Sequence, residues 1–187
     1  YPWSGDVKVT VKPGTDGSRF VFGIRIPAWT GNAPFAGDLY RYITPATGRV
    51  VIKVNGKKIK APIVRGFALL DREWDSGDEI EVSLPIEPRF IGARDEVKAD
   101  SGRVALGAGP MVYCLEEADN GPVREVTVDP GIKPQFSFEE GLLEGVGTLA
   151  FRVTDSTGSV KHVKAVPYYS WANRGKGEMT VWIKTNK

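Results

Sequence analysis

The stretch VVIKVNGKKIK, residues 50–60, is the clearest structural signal in the chain. An apolar run at 50–54 leads into Asn55-Gly56, and a shorter alternating run follows. Asn-Gly readily adopts the positive φ angles of a type I′ turn, which joins two antiparallel strands through two residues. The stretch therefore predicts a β-hairpin.

An alternation with period two is found on the N-terminal side of this hairpin. Val7, Val9 and Val11 alternate with polar residues, and a second alternating run covers 20–26. Such alternation places every second side chain on one face of a strand. Because the turn-forming residues 13–17 lie between the two runs, they predict a second hairpin.

The rest of the chain shows the same short apolar runs separated by turn residues. Further strands are predicted at 67–72, 80–84, 89–91, 103–106, 111–115, 123–128, 135–138, 148–153, 160–166 and 179–183. No window carries the apolar i, i+3, i+4, i+7 stripe of a helix, and residues 30–48 are predicted to be a long loop. Short strands at this spacing are typical of sandwiches. The predicted fold class is all-β, with antiparallel β-sandwiches and no substantial helix.

The pattern weakens at 117–122, an acidic stretch that contains Asn120-Gly121 and that we interpret as a linker. This interpretation gives a first β-sandwich over 1–115. Residues 116–187 form either a second small sandwich or strands that complete the first one. The last strand, 179–183, is expected to return to the first sheet.

Composition excludes several classes of function. The 187 residues include 25 Lys+Arg and 23 Asp+Glu, and a net charge of +2 provides no broad field for nucleic acid. One Cys and one His can form neither an internal disulfide nor a Cys/His zinc site. No stretch approaches the roughly 20 apolar residues that span a bilayer. We expect a soluble piece of a longer protein or a processed chain, located in the periplasm or the cytoplasm.

Candidates for catalysis are few. A Cys114–His162 pair is conceivable, but Cys114 lies in an apolar run and is predicted to be a core residue, and His162 an ordinary surface residue. Paired carboxylates can hydrolyse glycosides when one of them has a raised pKa. The carboxylates available for such a pair are Asp71, Glu73, Asp75, Asp78, Glu116 and Glu117. Nothing in the sequence desolvates them, so solvated charges are favoured.

Three aromatic rings are concentrated in PYYSW, residues 167–171. Flat rings stack on sugar faces, so a β-sandwich that exposes them is one form of carbohydrate-binding module. Packing within the core or against another domain is the favoured alternative, because aromatic side chains bury the largest areas. The sequence leaves both open.

An ordered series of motifs covers essentially the whole chain. It runs YPWSG (1–5), RIPAW (25–29), GRVAL (102–106), GPMVYCLE (109–116) and VPYYSWANRG (166–175). This series resembles the C-terminal region of the β-L-arabinofuranosidase glycoside hydrolases, family 127 and its relatives.

The resemblance implies a division of labour within a longer protein. Full-length members have an (α/α)6 barrel followed by β-sandwich domains, and a zinc-bound cysteine nucleophile lies in the barrel. Cys114 matches none of the family's catalytic cysteines. The resemblance therefore implies no catalytic, cofactor-binding or metal-binding residue in this chain, and zinc only in the missing catalytic domain. The implied role is a non-catalytic accessory region that packs on and stabilises the barrel of a glycoside hydrolase acting on arabinofuranosides.

The expected contact surface is the segment 168–174. Tyr168, Tyr169, Trp171 and Arg174 combine aromatic rings with an arginine, a composition typical of interface cores. The expected partners are the catalytic barrel of the parent chain, a second copy in a homodimer, or a plant cell-wall oligosaccharide. Neither nucleic acid nor a membrane is expected as a partner. Carbohydrate-binding module and dimerisation domain remain the alternative functions.

Overall fold

The computed structural model of the chain describes residues 1–154 and 158–186. The strands in these ranges are β1 (Asp6–Thr10), β2 (Ser18–Arg25), β3 (Tyr40–Tyr42), β4 (Val51–Val54), β5 (Lys57–Ile59), β6 (Ile63–Val64), β7 (Phe67–Trp74), β8 (Glu79–Ser83), β9 (Pro88–Ala93), β10 (Arg103–Ala108), β11 (Met111–Glu116), β12 (Thr127–Val128), β13 (Gln135–Glu139), β14 (Val146–Thr154), β15 (Val160–Pro167), β16 (Met179–Thr180) and β17 (Ile183–Thr185). The helical elements are α1 (Glu117–Asn120) and 3-10 turns at Ala28–Thr30, Lys98–Asp100 and Tyr168–Ser170. Within the described ranges every strand pair is antiparallel except β12–β17. The predicted all-β, antiparallel class is confirmed.

The chain forms two compact units that alternate along the sequence. Unit 1 contains Tyr1–Gly31 and Ala46–Ile86, and unit 2 contains Asn32–Pro45 and the chain from Glu87 onward. This division differs from the predicted boundary between residues 115 and 116. A boundary there would cut unit 2, because β11 pairs with both β15 and β16.

Unit 1 consists of two sheets, ordered β1-β8-β4-β5 and β2-β7-β6. Alternate residues of β4, β8 and β7 are buried. Trp74 at the end of β7 is fully buried, and its Nε1 donates a hydrogen bond to the Phe20 carbonyl at 3.1 Å. In β1 and β2, where the sequence alternates, no side chain is fully buried: Val7 and Phe20 are exposed, and Val9 is half-buried.

One of the two predicted hairpins of unit 1 is confirmed and the other is wrong. Strands β4 and β5 pair around a two-residue turn, in which Asn55 and Gly56 have φ of 49° and 73°. The predicted β1–β2 hairpin does not form, since β1 pairs with β8 and β2 pairs with β7 over its full length. The turn residues 13–17 carry the chain from one sheet to the other. Alternation indicates which side chains share a face of the strand, but leaves open which strand is the partner.

Unit 2 is built on one curled sheet. Its main path is β12-β17-β10-β11-β15-β14-β13, with β9 on β10, β3 on β9 and β16 on β11. The rings of Phe90 on β9 and Phe151 on β14 meet edge to face, with 5.8 Å between their centroids. In a flat sheet these two strands would be about 19 Å apart, at roughly 4.8 Å per strand. The sheet therefore folds over on itself and encloses the core of unit 2.

Two segments of unit 2 that were predicted to be irregular are ordered by strand contacts. The predicted loop at 30–48 contains β3, which pairs with β9. The predicted linker at 117–122 is wrong, because it contains α1 and the buried Asn120. The Asn120 amide donates to the carbonyls of Glu116 and Lys164 and accepts from the Lys164 N–H, each at 2.9 Å. The Asn120 side chain thus makes the two hydrogen bonds to Lys164 that the backbone of a neighbouring strand would make. These bonds hold residues 117–122 against β15.

No helix in the described ranges has the length and apolar character needed to cross a membrane.

Candidate functional site

The predicted contact residues lie in a loop that follows β15, here called the aromatic loop (residues 168–174). Its first part is the 3-10 turn Tyr168–Ser170. The Ser170 hydroxyl donates to the Pro167 carbonyl at 2.7 Å, and the Asn173 side-chain amide donates to the Ser170 carbonyl at 3.1 Å. The loop therefore has a defined shape of its own.

Three large aromatic side chains of this loop are exposed. The exposed fractions are 48% for Tyr168, 60% for Tyr169 and 39% for Trp171. Exposed rings that are close together in the chain mark a contact surface more often than scattered ones do. The structure thus brings three of the four predicted residues to the surface in one loop.

The fourth predicted residue, Arg174, lies inside. Its side chain is only 20% exposed, and it binds the Asp119 carboxylate through Nη1 at 2.7 Å and Nη2 at 2.6 Å. Nη2 also donates to Glu116. The side chains of Glu116 and Asp119 are 8% and 13% exposed. Arg174 is therefore an internal anchor of the loop, and not one of its exposed residues.

Glu116 holds the loop at a second point. Its Oε1 accepts a hydrogen bond from the Ala172 N–H at 2.8 Å. Ala172 has a φ of 65°, in the left-handed region that residues with a Cβ rarely adopt. The prediction that Glu116 is a solvated charge is wrong, because the folded chain places both Arg174 and the loop backbone against it.

These contacts belong to a larger charge cluster, defined as Glu116, Asp119, Glu139, Lys164 and Arg174. Lys164 Nζ lies 2.6 Å from Glu139 Oε2 and 3.9 Å from Asp119 Oδ1. The hydrogen bond from Lys164 lowers the pKa of Glu139, and the hydrogen bonds to Asp119 raise the pKa of Arg174. A lowered pKa keeps Glu139 ionised, whereas the acid of a glycosidase needs a raised pKa. Glu139 is therefore poorly suited to acid catalysis, and the ion pairs of Arg174 hold the loop.

Sequence reasoning missed this cluster as a unit. The available signal was the spacing of three between Glu116 and Asp119, which places two carboxylates on the same side of a helical turn. Their cation, Arg174, is 58 residues from Glu116 in the chain. No local pattern links residues so far apart.

The conceivable Cys114–His162 pair does not form. Cys114 is buried, as predicted, and burial raises the pKa of its thiol to about 12, with a further contribution from Glu116. A thiol with such a pKa is not a thiolate at neutral pH. In the register of β11 and β15, Cys114 faces Val166. His162 lies four residues away along that strand, about 13 Å.

The zinc that the family resemblance implies finds no fitting site in the described part of the chain. No three or more His, Cys, Asp or Glu side chains are grouped there so that they could hold a metal ion. Cys114, the residue type that zinc prefers, has its pKa raised by burial. These residues do not fit the metal.

Comparison with protein families gives two matches that cover nearly the whole chain. Residues 1–86 match "Beta-L-arabinofuranosidase, GH127 middle domain", and residues 88–184 match "Glycoside hydrolase family 127 C-terminal domain". The two matches meet close to the boundary after Ile86 between units 1 and 2.

Individual relatives point to the same family as the two domain matches. The chain is 31% identical to the non-reducing end beta-L-arabinofuranosidase of Bifidobacterium longum subsp. longum, over 97% of this chain and 29% of that protein. A solved GH127 beta-arabinofuranosidase matches with 33% identity and a TM-score of 0.84, over 100% of this chain and 30% of its own. A GH127 beta-L-arabinofuranosidase from Geobacillus stearothermophilus T6 matches with 34% identity and a TM-score of 0.82. This match covers 100% of this chain and 29% of the other.

The fold and the matches define a pair of β-domains that correspond to the middle and C-terminal domains of one enzyme family. The chain belongs to glycoside hydrolase family 127, and it spans about 30% of the length of the relatives it matches.

Proposed function

We propose that this chain is the non-catalytic β-domain region of a glycoside hydrolase that acts on β-L-arabinofuranosides. In this role it packs on and stabilises an (α/α)6 catalytic barrel of the same protein, in the periplasm or the cytoplasm. The observation that carries the proposal is the match of the chain to the middle and C-terminal domains of the family. The state of Cys114 supports it, since a buried thiol with a pKa near 12 supplies no nucleophile. The zinc and the reacting cysteine then belong to the barrel.

The test compares the 187-residue chain with the full protein on an aryl β-L-arabinofuranoside. We expect turnover by the full protein and none by the chain at the same molar concentration. Turnover by the chain would contradict the proposal, and its loss in Cys114→Ser would identify Cys114 as the nucleophile. A full protein that is inactive on β-L-arabinofuranosides but active on another glycoside would also contradict the proposal.

The aromatic loop is the proposed contact surface for the barrel. Tyr169 and Trp171 are exposed, and the charge cluster holds the loop in one shape before any partner arrives. A preorganised surface loses less conformational entropy on binding. In the full protein, Tyr169→Ser and Trp171→Ser should lower Tm, while in the isolated chain they should have little effect.

Val160→Ser is a matched control, because Val160 is also a largely exposed apolar residue of unit 2 but lies at the opposite end of β15. Equal effects of the loop substitutions in the chain and in the full protein would argue against docking. Sedimentation of the chain and of its Trp171→Ser variant tests the second partner, another copy in a homodimer. Loss of a dimer on substitution would place the same surface between copies.

Carbohydrate binding is the second candidate function of the aromatic loop. It is favoured by the exposure of Tyr168 and Tyr169 beside Trp171. Titration with arabinan oligosaccharides, as representatives of plant cell-wall sugars, should quench Trp fluorescence in the chain but not in Trp171→Phe. An unchanged signal at millimolar sugar would remove this candidate.

A further inference from the structure

A second aromatic side chain of unit 2, Trp182, borders a depression of about 410 Å³. The residues lining it include Trp182, Arg103, Lys184, Arg124, Glu125 and Thr180. None of them belongs to the aromatic loop or to the charge cluster. The volume is in the lower part of the range of small-molecule sites, roughly 300–1,000 Å³. We call this feature the Trp182 depression.

Two positive charges face each other across its floor. Arg103 on β10 and Lys184 on β17 are direct partners in the strand register, so both side chains project to the same face with their Cβ atoms about 5 Å apart. Like charges in this position destabilise a sheet. Among the described residues, neither of the two has a carboxylate within 4.0 Å. The next register pair, Val104 and Ile183, is buried, and this contact explains why the two strands pair. It does not explain why the residues beside it, Arg103 and Lys184, are both cationic.

The remaining charges of the Trp182 depression leave it positive. Arg124 is paired with Glu178 at 3.3 Å, and Glu125 contributes a carboxylate to the lining. With Glu178 counted as the partner of Arg124, three cationic side chains stand against two carboxylates, so the depression keeps one net positive charge. A cationic concavity attracts anions. Glu125 and Thr180 add oxygen atoms that can accept hydrogen bonds from hydroxyl groups.

Aromatic packing fixes the position of Trp182. Its ring lies 5.8 Å from the ring of Tyr40 between centroids, and Tyr40 in turn contacts Phe35 edge to face. Trp182 is half-buried, and its indole combines a flat apolar face with an N–H donor. A site for a simple anion would need no such ring. A ring beside unpaired cations fits a ligand with an apolar face and an attached carboxylate.

We propose that the Trp182 depression binds an acidic sugar, a hexuronic acid residue of an oligosaccharide. Arg103 and Lys184 bind the carboxylate, the face of the sugar ring packs on Trp182, and Arg124 and Glu125 bind hydroxyl groups. This site is separate from the aromatic loop, and the proposal does not depend on the activity of the full protein.

The experiment is a ¹H–¹⁵N NMR titration of the chain with a galacturonic acid trimer. The indole signals of Trp182 and Trp171 are assigned with Trp182→Phe and Trp171→Phe. The neutral galactose trimer and sodium acetate, at matched sodium concentration, are the two comparison ligands. We expect a saturable shift of the Trp182 signal with the acidic trimer alone, and weaker binding as salt is raised.

Variants test the two cations. Arg103→Gln and Lys184→Gln should each weaken binding about threefold, the typical size of an exposed ionic contact. Arg152→Gln should have no effect, because Arg152 is an exposed cation on β14 outside this depression. Neither floor variant should lower Tm, because each removes a like-charge contact; weaker binding therefore reports on the site and not on the fold.

Several outcomes would overturn the proposal. If the galactose trimer shifts the Trp182 signal as much as the acidic trimer does, the cations have no role in binding. If acetate shifts it as much, the sugar ring has no role. A shift of the Trp171 signal with none at Trp182 would assign sugar binding to the aromatic loop. A flat titration up to about 10 mM trimer would exclude a useful affinity.

Discussion

Arg174 holds the aromatic loop in shape, although its own side chain is largely buried beneath the exposed rings. It is the main cationic partner of two nearly buried carboxylates, Glu116 and Asp119. Removing one member of a buried ion pair is costly because the other charge remains without a partner. Exposed ion pairs behave differently, since water and salt screen them.

We expect Arg174→Gln to lower the free energy of unfolding by about 3 kcal/mol. Arg174→Lys should recover part of this loss, since it keeps the charge but not the two-point contact with Asp119. Urea denaturation measures both. Arg124→Gln is the control: it breaks the exposed pair with Glu178, which is worth about 0–1 kcal/mol. A similar loss for Arg174→Gln and Arg124→Gln would show that the cluster does not hold the loop.

Glu139 gives a pH-dependent contribution to stability. The hydrogen bond from Lys164 lowers its pKa in the folded chain, so the contribution is present above the unfolded pKa of about 4.3 and is lost as the pH falls through the folded pKa. Glu139→Gln should therefore flatten the fall in stability below about pH 4.3. Denaturation at several pH values between neutral and acid tests this. The same fall in stability with and without Glu139 would show that this carboxylate does not cause it.

Among the elements, the β4–β5 hairpin depends most directly on its turn residues. Gly56 has a φ of 73°, which a residue with a Cβ adopts at a cost of about 1 kcal/mol. The Asn55 side chain adds two contacts to β8 and its preceding turn, donating to Asp78 at 2.7 Å and accepting from the Glu79 N–H at 2.9 Å. The turn thus connects its own hairpin to the next strand of the same sheet.

Gly56→Ala should destabilise unit 1 by about 1 kcal/mol. Gly14→Ala is the matched control, because Gly14 also lies in a turn of unit 1 but its φ is not positive and its Cβ position is open. Thermal unfolding is followed by Trp fluorescence in a chain that carries Trp171→Phe and Trp182→Phe. The remaining Trp residues, among them the buried Trp74, then all lie in unit 1. Equal effects at the two glycines would mean that φ at position 56 is not the cause.

In the whole molecule, unit 2 draws one of its strands from a segment that interrupts unit 1 in the sequence. Residues Asn32–Pro45 belong to unit 2, and β3 pairs there with β9. Tyr42 of β3 is buried, with the Arg89 guanidinium over its ring at 3.5 Å from the centroid. A unit 2 that lacks this segment therefore loses a buried ring and exposes the edge of β9.

We expect residues 87–187, expressed alone, to unfold at a lower temperature than unit 2 of the whole chain. The missing strand leaves apolar surface open, so binding of the dye ANS should increase. A synthetic peptide of residues 32–45 should reverse both changes, and the same peptide with Tyr42→Ser should do so less well. Equal stability with and without the peptide would contradict the assignment of β3 to unit 2.

The sequence was sufficient for those features that depend on near neighbours. Strand positions followed from alternation, since burial of one face needs only every second side chain to be apolar. The 50–60 hairpin followed from Asn55-Gly56, because backbone sterics restrict that turn to few residue types. The family resemblance, which rests on an ordered series of short motifs, agreed with the later matches.

Partners that are distant in the chain required the folded structure. The pairing of β1 with β8, the anchoring of 117–122 by Asn120 and the burial of Glu116 against Arg174 all join residues more than 40 positions apart. Local pattern carries no information on such pairs, because an alternating strand can pair with any other strand, and a charge becomes internal only when a remote segment covers it. The same holds for Arg103 and Lys184, whose proximity depends on the return of β17 to β10.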